Sequence, residues 1–278
     1  MKPLLPPTKQ LHQFYGGSDL SVSPPSPPNQ QPLLMSHNQF LFSNQFKLQT
    51  ILSLGSLLQI ILCATFPLRY AAVPATTLLL ISILTTIQQC FRPQKSPFMV
   101  GVLPGRTTAQ IPDEFGQYGP ELSKGSVVVF HLGIQYNHPL GIFAPHIRQI
   151  ANQFQAMDED MVRRKDELGL LGVSMWRGNE RSSNNTMLIK YYFKDTESVH
   201  QFAREAHHQK AWSYYNRHKP SYVGIFHETF IVNGGYENVY VNCYPVLLGR
   251  GEVKATGKQN EEGEWLGTLV SADNLRLN

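Results

Sequence analysis

Two long apolar runs near the start of the chain constrain its fold more than any other feature. No residue is charged between positions 48 and 68, and after Arg69 and Tyr70 the apolar character resumes from 71 to 91. Each run holds about 20 residues, which at about 1.5 Å per residue cross a ~30 Å hydrocarbon core. A buried hairpin of core helices is the alternative, but such helices normally show a polar face. The sequence therefore predicts two transmembrane helices joined by a tight turn.

Basic residues around these runs predict their orientation. Lys47 precedes the hairpin and Arg92 and Lys95 follow it, whereas Arg69 is the only basic residue in the connecting turn. Arg106 adds a further positive charge on the following side. By the positive-inside rule both ends of the hairpin face the cytosol. We therefore expect a multi-pass membrane protein, located in the endoplasmic reticulum, with its folded domain in the cytosol.

Composition divides the chain into five segments. The N-terminal segment is rich in Pro, Gln and Ser and has no apolar periodicity, so it cannot bury enough surface to offset its chain entropy. Prolines and glycines punctuate the segment after the hairpin, and only one later segment is long enough for a folded domain. The predicted segments are a disordered tail (1–46), the transmembrane hairpin (47–92), a linker (93–124), a folded domain (125–249) and a C-terminal extension (250–278), mostly irregular with one short strand near 265–270.

Charge, cysteines and motifs exclude several classes of function. The net charge of +4 is modest and the basic residues are scattered among acids, so no binding surface for nucleic acid is expected. Cys63, Cys90 and Cys243 have neither metal-ligand spacing nor the pattern of a disulfide framework. The chain also lacks a glycine-rich nucleotide loop, which argues against a flavin or NAD site. No metal site is predicted.

Strand and helix patterns alternate through the folded domain. The predicted elements are a strand at 126–134, a long helix from Pro145 to about 168, strands at 170–177 and 186–193, a helix from Asp195 through Tyr214, a strand at 222–232 and a shorter one at 236–244. The order β-α-β-β-α-β predicts an α+β, ferredoxin-like fold with both helices on one sheet face. The other face needs a cover, so we expect a homodimer, a dimeric α+β barrel; a monomer with its tail folded across is the alternative.

Several runs in this domain resemble one enzyme family. They are HPLGIFAP from His138, LLGVSMW at 170–176, FAREAHHQKAWSYYN at 202–216, GIFHETFIV at 224–232 and ENVYVNCYPVLLG at 237–249. Together they resemble a monooxygenase-like family of the dimeric α+β barrel superfamily, which is related to the antibiotic-biosynthesis monooxygenases and includes a membrane-anchored member of the fumagillin pathway in fungi. The resemblance covers about 97–249. It implies oxygenation of a hydrophobic natural product.

His227 and Glu228 are the first candidates for catalysis. They are neighbours on a strand, so their side chains point to opposite faces and only one of them can face a given cavity. The same placement excludes a helical zinc-binding HExxH motif. Both faces of this strand carry apolar residues, which predicts that both side chains are buried. Either residue can act as a general base or orienting group, or it can be a buried polar group with a local partner.

A second set of candidates lies on the helix before that strand. His208, Trp212 and Tyr215 share one helical face, where they either line a pocket or pack in the core. His131 and Trp176 are expected to complete the wall of that pocket, and Phe226 and Tyr236 are further predicted substrate contacts. The related fold also includes haem enzymes, so a haem bound by one histidine in an apolar slot stays open.

The family resemblance, together with the two predicted spans, implies a membrane-anchored monooxygenase. Its substrate would be a lipophilic secondary metabolite, terpenoid or polyketide-like, and its second substrate O2. Oxygenation without a cofactor requires a substrate that can become a carbanion or enolate; a saturated terpenoid would need a hidden cofactor or a partner oxidase. The alternatives are a non-redox lyase or isomerase on the same fold, and a membrane-tethered accessory protein without catalysis.

Overall fold

The structure is a computed structural model. It describes residues 4, 46–113, 115–119, 126–178, 185–233, 235–254 and 264–272. The predicted disordered tail therefore lies almost wholly outside the described residues.

The two apolar runs form helices. Helix α1 spans Leu48–Thr65, a four-residue helix α2 spans Leu68–Ala71, and α3 spans Val73–Phe91. No residue of α1 or α3 is buried. Leu48–Thr65 and Leu68–Phe91 are each long and apolar enough to cross a membrane. Their exposed apolar side chains therefore need a cover that the described part of the chain does not supply.

The folded domain is built on a four-stranded antiparallel sheet. In chain order the strands of the protein are β1 Leu103–Ala109, β2 Val127–Tyr136, β3 Leu170–Gly178, β4 Thr186–Phe193, β5 Val223–Val232, β6 Tyr240–Cys243, β7 Glu252–Lys254, β8 Trp265–Gly267 and β9 Leu269–Ser271. The main sheet has the order β3-β4-β2-β5, and each neighbouring pair is antiparallel. This is the ferredoxin-like topology that the sequence predicts, with β3 and β5 at the edges.

Three helices cover one face of this sheet. They are α4 Ile147–Arg163, α5 Thr196–Arg204 and α6 Ala206–His218. The apolar stripe of α4 includes Phe154, Met157 and Met161, which pack against Phe130 and Tyr191 of the sheet. These contacts form the main core of the domain, so the helix-covered face is the inner one.

The second predicted helix is divided in two. Asp195 caps its start as expected, because its carboxylate accepts a 2.8 Å hydrogen bond from the amide of Ser198. Glu205 interrupts it with an extended backbone (φ −63°, ψ 146°). The Glu205 carboxylate binds the Arg164 guanidinium at 2.6 Å, so the break coincides with a tertiary ion pair at the end of α4. Local sequence offers no proline or glycine to signal this break.

The first helix begins later than its proline suggests. Pro145 lies outside the helix, and His146 before Ile147 has a positive φ of 65°, a conformation that non-glycine residues seldom adopt. The carbonyl of Pro145 accepts a 2.8 Å hydrogen bond from the Tyr222 hydroxyl. That long-range contact is part of what fixes the entry to the helix, and local sequence does not reveal it.

A second sheet adds strands to the predicted linker and to the extension that was predicted to be mostly irregular with one short strand. Strand β1 lies in the predicted linker and β9 in the predicted extension, and with β6 they form an antiparallel sheet of order β6-β1-β9. Strands β7 and β8 of the extension form a separate pair. The sequence predicted a strand at 236–244, which contains β6, and a short strand near 265–270, where β8 and the start of β9 lie. It missed β1 and β7. The partners of β1 are distant in sequence, since Thr107 pairs with both Tyr240 and Ser271.

This second sheet covers one end of the face that the helices leave open. Ala109 and Leu269 from the second sheet join Leu248 in packing on Val127 and Tyr192 of the main sheet. The chain's own segments therefore supply part of the cover for which the sequence suggested a second copy or a folded-back tail. The rest of this face stays uncovered in the described residues.

Candidate functional site

His227 and Glu228 lie on an edge strand of the main sheet. Their side chains point to opposite faces, as predicted. The prediction that both are buried is wrong, since both side chains are exposed. In the described part of the chain β5 is an edge strand, and most of its side chains lie beyond the layers that cover the centre of the sheet. The apolar pattern of a strand does not show whether it lies at an edge.

The predicted site residues divide between the two faces of the sheet. His227 shares the helix-covered face with three residues of α6, His208, Trp212 and Tyr215. The opposite face carries Glu228, His131, Trp176 and Phe226, and Tyr236 packs at the end of that face that the second sheet covers. The predicted wall joining His131 and Trp176 to His208 is therefore wrong, because the sheet itself separates them. Because side chains alternate between faces along a strand, the pairing of His131 with Glu228 places His131 on the face opposite to His227.

A polar row crosses the centre of the uncovered face. His131 on β2 is directly opposite Lys190 on β4 and Glu228 on β5. The imidazole Nδ1 lies 3.8 Å from Oε2 of Glu228. Lys190 was not identified as a site residue from the sequence. Its place in the predicted strand TMLIKYYF shows that it lies on a sheet, but only the pairing of β4 with β2 places it opposite His131. A lysine ammonium, an imidazole and a glutamate carboxylate thus lie side by side on an apolar surface.

Aromatic and aliphatic side chains surround this row. The next row of the same face holds Trp176, Leu188, Gly133 and Phe226. The Phe226 ring lies directly over Gly133, where a Cβ atom would be 1.9 Å from the ring. On the other side the Phe230 ring meets His131 edge to face, with centroids 5.3 Å apart. Phe226, Phe230 and Trp176 are 38%, 48% and 41% exposed, so the surface around the polar row is apolar and accessible.

The surroundings of His131 favour its neutral form. Burial and the charge of Lys190 lower the pKa of the imidazole below its usual value of 6.5, and Glu228 opposes this in part. At neutral pH the ring is therefore able to accept a proton. Once protonated it would lie between an acid that stabilises it and a lysine that destabilises it, an arrangement suited to transient proton transfer.

Tyr236 lies at the covered end of this face. Its hydroxyl accepts a hydrogen bond from the amide of Ile111 at 3.1 Å, and its ring packs with the cluster around Tyr192 and Leu248. Ser174, in the same transverse row as Lys190, is also covered, and its hydroxyl accepts a 3.1 Å hydrogen bond from Leu247. These contacts close one end of the candidate site.

The residues on the helix-covered face make mainly structural contacts. Trp212 stacks on Tyr215 with ring centroids 5.9 Å apart, and the Tyr215 hydroxyl donates to the carbonyl of Val223 at 3.0 Å. His208 packs edge to face on Phe202 at 5.1 Å. Burial, together with the nearby His227, lowers the pKa of His208. Trp212 is nevertheless 49% exposed and no residue of α6 is buried, so these side chains pack on one another and on the edge of the core without forming part of it.

Metal-ligating side chains do not cluster in the part of the chain that the structure describes. No group of three or more His, Cys, Asp or Glu residues there is placed to hold a metal ion. The three cysteines are free thiols and are distant in sequence.

The fold and site define an α+β protein with a ferredoxin-like domain. On the open face of its sheet, His131 lies between Lys190 and Glu228. The family model of the Monooxygenase af470-like proteins matches residues 127–248. The chain is 62% identical over 274 residues to Monooxygenase af470 of Aspergillus fumigatus, covering 98% of this chain and 93% of that protein. The chain belongs to this monooxygenase family, which confirms the resemblance found in the sequence.

Solved structures show more distant similarity. SnoaB, a cofactor-independent oxygenase from Streptomyces nogalater, is 13% identical, with 37% of this chain and 90% of that chain covered and a TM-score of 0.28. The aldoxime dehydratase OxdRE is 11% identical, with 52% of this chain and 39% of that chain covered and a TM-score of 0.39. Similarities of this extent carry no argument about substrate or cofactor.

Proposed function

We propose that this protein is a membrane-anchored monooxygenase that oxygenates a lipophilic secondary metabolite on its uncovered sheet face. The observation that carries the proposal is the row formed by Lys190, His131 and Glu228 on an apolar, accessible surface. Family membership supports the reaction type. The row supports placing the reaction on this face, because His131, Lys190 and Glu228 lie there beside exposed aromatic rings.

In this proposal His131 is the general base. Its lowered pKa keeps the imidazole neutral, so it removes a proton from an activated CH2 group of the substrate. The Lys190 ammonium stabilises the resulting carbanion or enolate, and Glu228 stabilises the imidazolium. Oxygen then takes the electrons of the carbanion to give a peroxide at that carbon. Loss of water leaves a carbonyl, so the sum CH2 + O2 → C=O + H2O balances without an external reductant.

This chemistry restricts the substrate. Only a molecule with an acidic C–H group, such as one next to a carbonyl or on an aromatic polyketide-like ring system, forms the required anion. Phe226, Phe230 and Trp176 offer flat apolar contacts to such a ring system. A saturated terpenoid lacks the acidic C–H group and would require haem or a partner oxidase. We therefore favour a polyketide-like or otherwise enolisable substrate and cofactor-free oxygenation.

Two further elements complete the proposal. Helices α1 and α3 cross the membrane with both ends in the cytosol, which keeps the domain where lipophilic substrates partition. A second copy of the chain covers the uncovered sheet face, giving a homodimer of the dimeric-barrel kind. The exposed Phe226 and Phe230 on that face, and the unpaired edge of β5, support this part of the proposal.

Isotope labelling tests the reaction. Membranes from yeast expressing the full chain are incubated under ¹⁸O2 with an extract of the source organism from which the gene has been deleted. We expect one metabolite of the extract to disappear and a product carrying one ¹⁸O atom to form. A product without label would indicate the lyase or isomerase alternative, and no product with these membranes would favour the accessory-protein alternative. The absorption spectrum of the purified full chain tests for haem, since bound haem would give a Soret band.

A further inference from the structure

The loop between β2 and α4 presents apolar side chains outward. Leu140 and Phe143 are 54% and 63% exposed. Ile142, which lies between them, and Ala144, which follows them, are buried. The loop has a defined conformation: His138 Nδ1 accepts a hydrogen bond from the amide of Leu140 at 3.1 Å, and residues Gly141–Phe143 form a helical turn. Loop 137–146 is therefore a fixed protrusion with two apolar side chains at its tip.

This tip contacts the start of the first apolar helix. The rings of Phe143 and Phe46 lie nearly parallel (24°), with centroids 6.3 Å apart. Phe46 precedes the first residue of α1, Leu48, by two positions, and two residues of extended chain span at most about 7 Å. If α1 crosses a bilayer, Phe46 lies at the level of the headgroups, and Phe143 lies beside it.

The charge of the neighbouring sequence fits an anionic surface. No Asp or Glu occurs from residue 20 to 112, or from residue 126 to 157. Lys47 follows Phe46, and Arg148 is exposed on the first turn of α4. Basic residues beside exposed apolar ones are the combination that binds the interface of a cytoplasmic leaflet.

The other end of the hairpin is also tied to the domain. Phe98, soon after the end of α3, is 82% exposed. Three residues later Gly101 lies so close to the Tyr244 ring that a Cβ atom would be 2.7 Å from it. The domain therefore touches the chain on both sides of the hairpin, through Phe143 before it and through Tyr244 after it.

We propose that loop 137–146 rests on the bilayer surface beside α1, with Leu140 and Phe143 inserted at headgroup depth. This inference relies on the membrane-spanning role proposed for α1 and α3, and it adds a second, peripheral membrane contact. The occupant of the surface is the lipid leaflet into which α1 enters. The apolar side chains contact lipid, while His146 and Arg148 lie near the phosphates.

The proposed contact orients the candidate site. Loop 137–146 continues directly from β2, and Gln135 at that end is about 13 Å along the strand from His131. The row containing Trp176 and Phe226 lies between them, at the uncovered end of the sheet face. The opposite end is closed by the second sheet. A lipophilic substrate leaving the bilayer would thus meet the aromatic end of the site first.

Spin-label accessibility tests the contact in the full chain. The three native cysteines are replaced (Cys63→Ala, Cys90→Ala, Cys243→Ser), and a nitroxide is attached in separate variants to Phe143→Cys, Leu140→Cys, Leu57→Cys and Ala206→Cys. The chain is reconstituted into vesicles of phosphatidylcholine and phosphatidylserine, and collisions with O2 and with a water-soluble nickel chelate are measured. Leu57 reports on the middle of α1. Ala206 is exposed near the far end of α4, which is about 25 Å long.

The expected pattern is specific. Labels at 143 and 140 collide preferentially with O2 at a depth near the phosphates, the label at 57 lies deep in the bilayer, and the label at 206 collides freely with the nickel chelate. A deep label at 57 with aqueous labels at 143 and 140 overturns the loop contact while leaving the span intact. Labels at 143 and 140 shielded from both reagents would show a protein partner in place of lipid and also overturn it. An aqueous label at 57 overturns the span and the inference together.

Discussion

The Nδ1 atom of His131 lies 3.8 Å from Oε2 of Glu228, across the pair formed by β2 and the edge strand β5. Lys190 takes the corresponding position on the other neighbour, β4. The imidazole is 18% exposed and the carboxylate 65%, so the ring is shielded while its acidic partner reaches solvent. The distance exceeds that of an ordinary hydrogen bond, so Glu228 acts on the ring mainly through its charge and does not occupy the ring nitrogen.

Replacement of the imidazole should abolish most of the activity. His131→Gln keeps a polar side chain of similar length but removes a base that accepts protons near neutral pH. We expect the ¹⁸O-labelled product to form about 10²–10⁴-fold more slowly, and thermal unfolding checks that the variant is folded. The rate is measured with membranes containing equal amounts of each variant.

His227→Gln is the matched control for this experiment. His227 is exposed on β5 like Glu228, but it lies on the helix-covered face beside Phe130, with ring centroids 5.9 Å apart. We expect its replacement to leave the rate within a few-fold of the native value. A large loss in His227→Gln with none in His131→Gln would place the chemistry on the other face of the sheet.

A methyl group at Gly133 should disturb the aromatic end of the site. In Gly133→Ala the new Cβ would lie 1.9 Å from the Phe226 ring, so the ring must move away from its place over β2. Overpacking of this kind typically costs about 1–3 kcal/mol. We expect lower thermal stability and weaker substrate binding, and partial recovery in the double variant with Phe226→Leu.

Gly224→Ala serves as the control for the glycine. Gly224 lies on the same face of the neighbouring strand β5. A Cβ atom added there would be 3.6 Å from its nearest neighbours, the side-chain atoms of Gln135, which is ordinary packing distance. We expect a change in unfolding free energy of less than about 0.5 kcal/mol. Equal effects of the two substitutions would mean that the Phe226 contact is unimportant.

Sequence patterns predicted the elements of the main sheet but not the site upon it. The run TMLIKYYF of β4 is rich in strand-forming aliphatic and aromatic residues, and its predicted bounds matched the structure at both ends. Alternation also placed His227 and Glu228 on opposite faces. It could not say which face held His131, because that depends on the register of β2 against β5, a pairing of segments about 100 residues apart. Lys190 was missed for the same reason.

The covering elements were harder to predict, although β6 lies within the predicted strand 236–244. Strands β1, β6 and β9 have at most seven residues each, and their stability comes from pairing with one another and packing on Tyr192. A seven-residue strand that includes Pro104 and Gly105 has no local signature that separates it from a linker. Tertiary context, rather than propensity, makes these segments strands.

The carboxyl of Asp158 should make stability depend on pH. Burial raises its pKa from 3.8 to about 6, although the Tyr191 hydroxyl donates a 3.2 Å hydrogen bond to it. A raised folded pKa means that the contribution of Asp158 is fully present below about pH 3.8 and is lost as pH rises through about 6. Asp158→Asn keeps an acceptor for Tyr191 and removes this loss. We expect the variant to be more stable than the native chain above pH 6, by about 2–3 kcal/mol, and equal to it near pH 4.

Thermal unfolding of the full chain in detergent, followed by circular dichroism between pH 4 and 8, measures this difference. Glu159→Gln is the control, since Glu159 is the next residue on α4 and is exposed. Its replacement should change the unfolding free energy by less than about 0.5 kcal/mol at any of these pH values. A stability difference for Asp158→Asn that does not vary with pH would show that the carboxyl is not desolvated in solution.

The ion pair of Lys165 with Glu252 should hold the C-terminal extension on the domain. Its Nζ and Oε2 atoms are 3.2 Å apart, and the two side chains are only 5% and 3% exposed. The Lys165 ammonium also lies over the Trp265 ring, 4.9 Å from its centroid. Glu252→Gln would leave a buried ammonium without its countercharge, so we expect a loss of about 3–5 kcal/mol. Chemical unfolding of the full chain measures it.

Lys254→Gln on the same strand is the control for this loss. Lys254 pairs with Asp166 at 3.5 Å, but both side chains are substantially exposed, at 39% and 57%. Such a pair contributes about 0–1 kcal/mol. The double variant Lys165→Met with Glu252→Leu removes both buried charges and should recover most of the stability that Glu252→Gln loses. If Glu252→Gln costs no more than Lys254→Gln, strands β7 and β8 are held by their apolar contacts and the buried pair has no net effect.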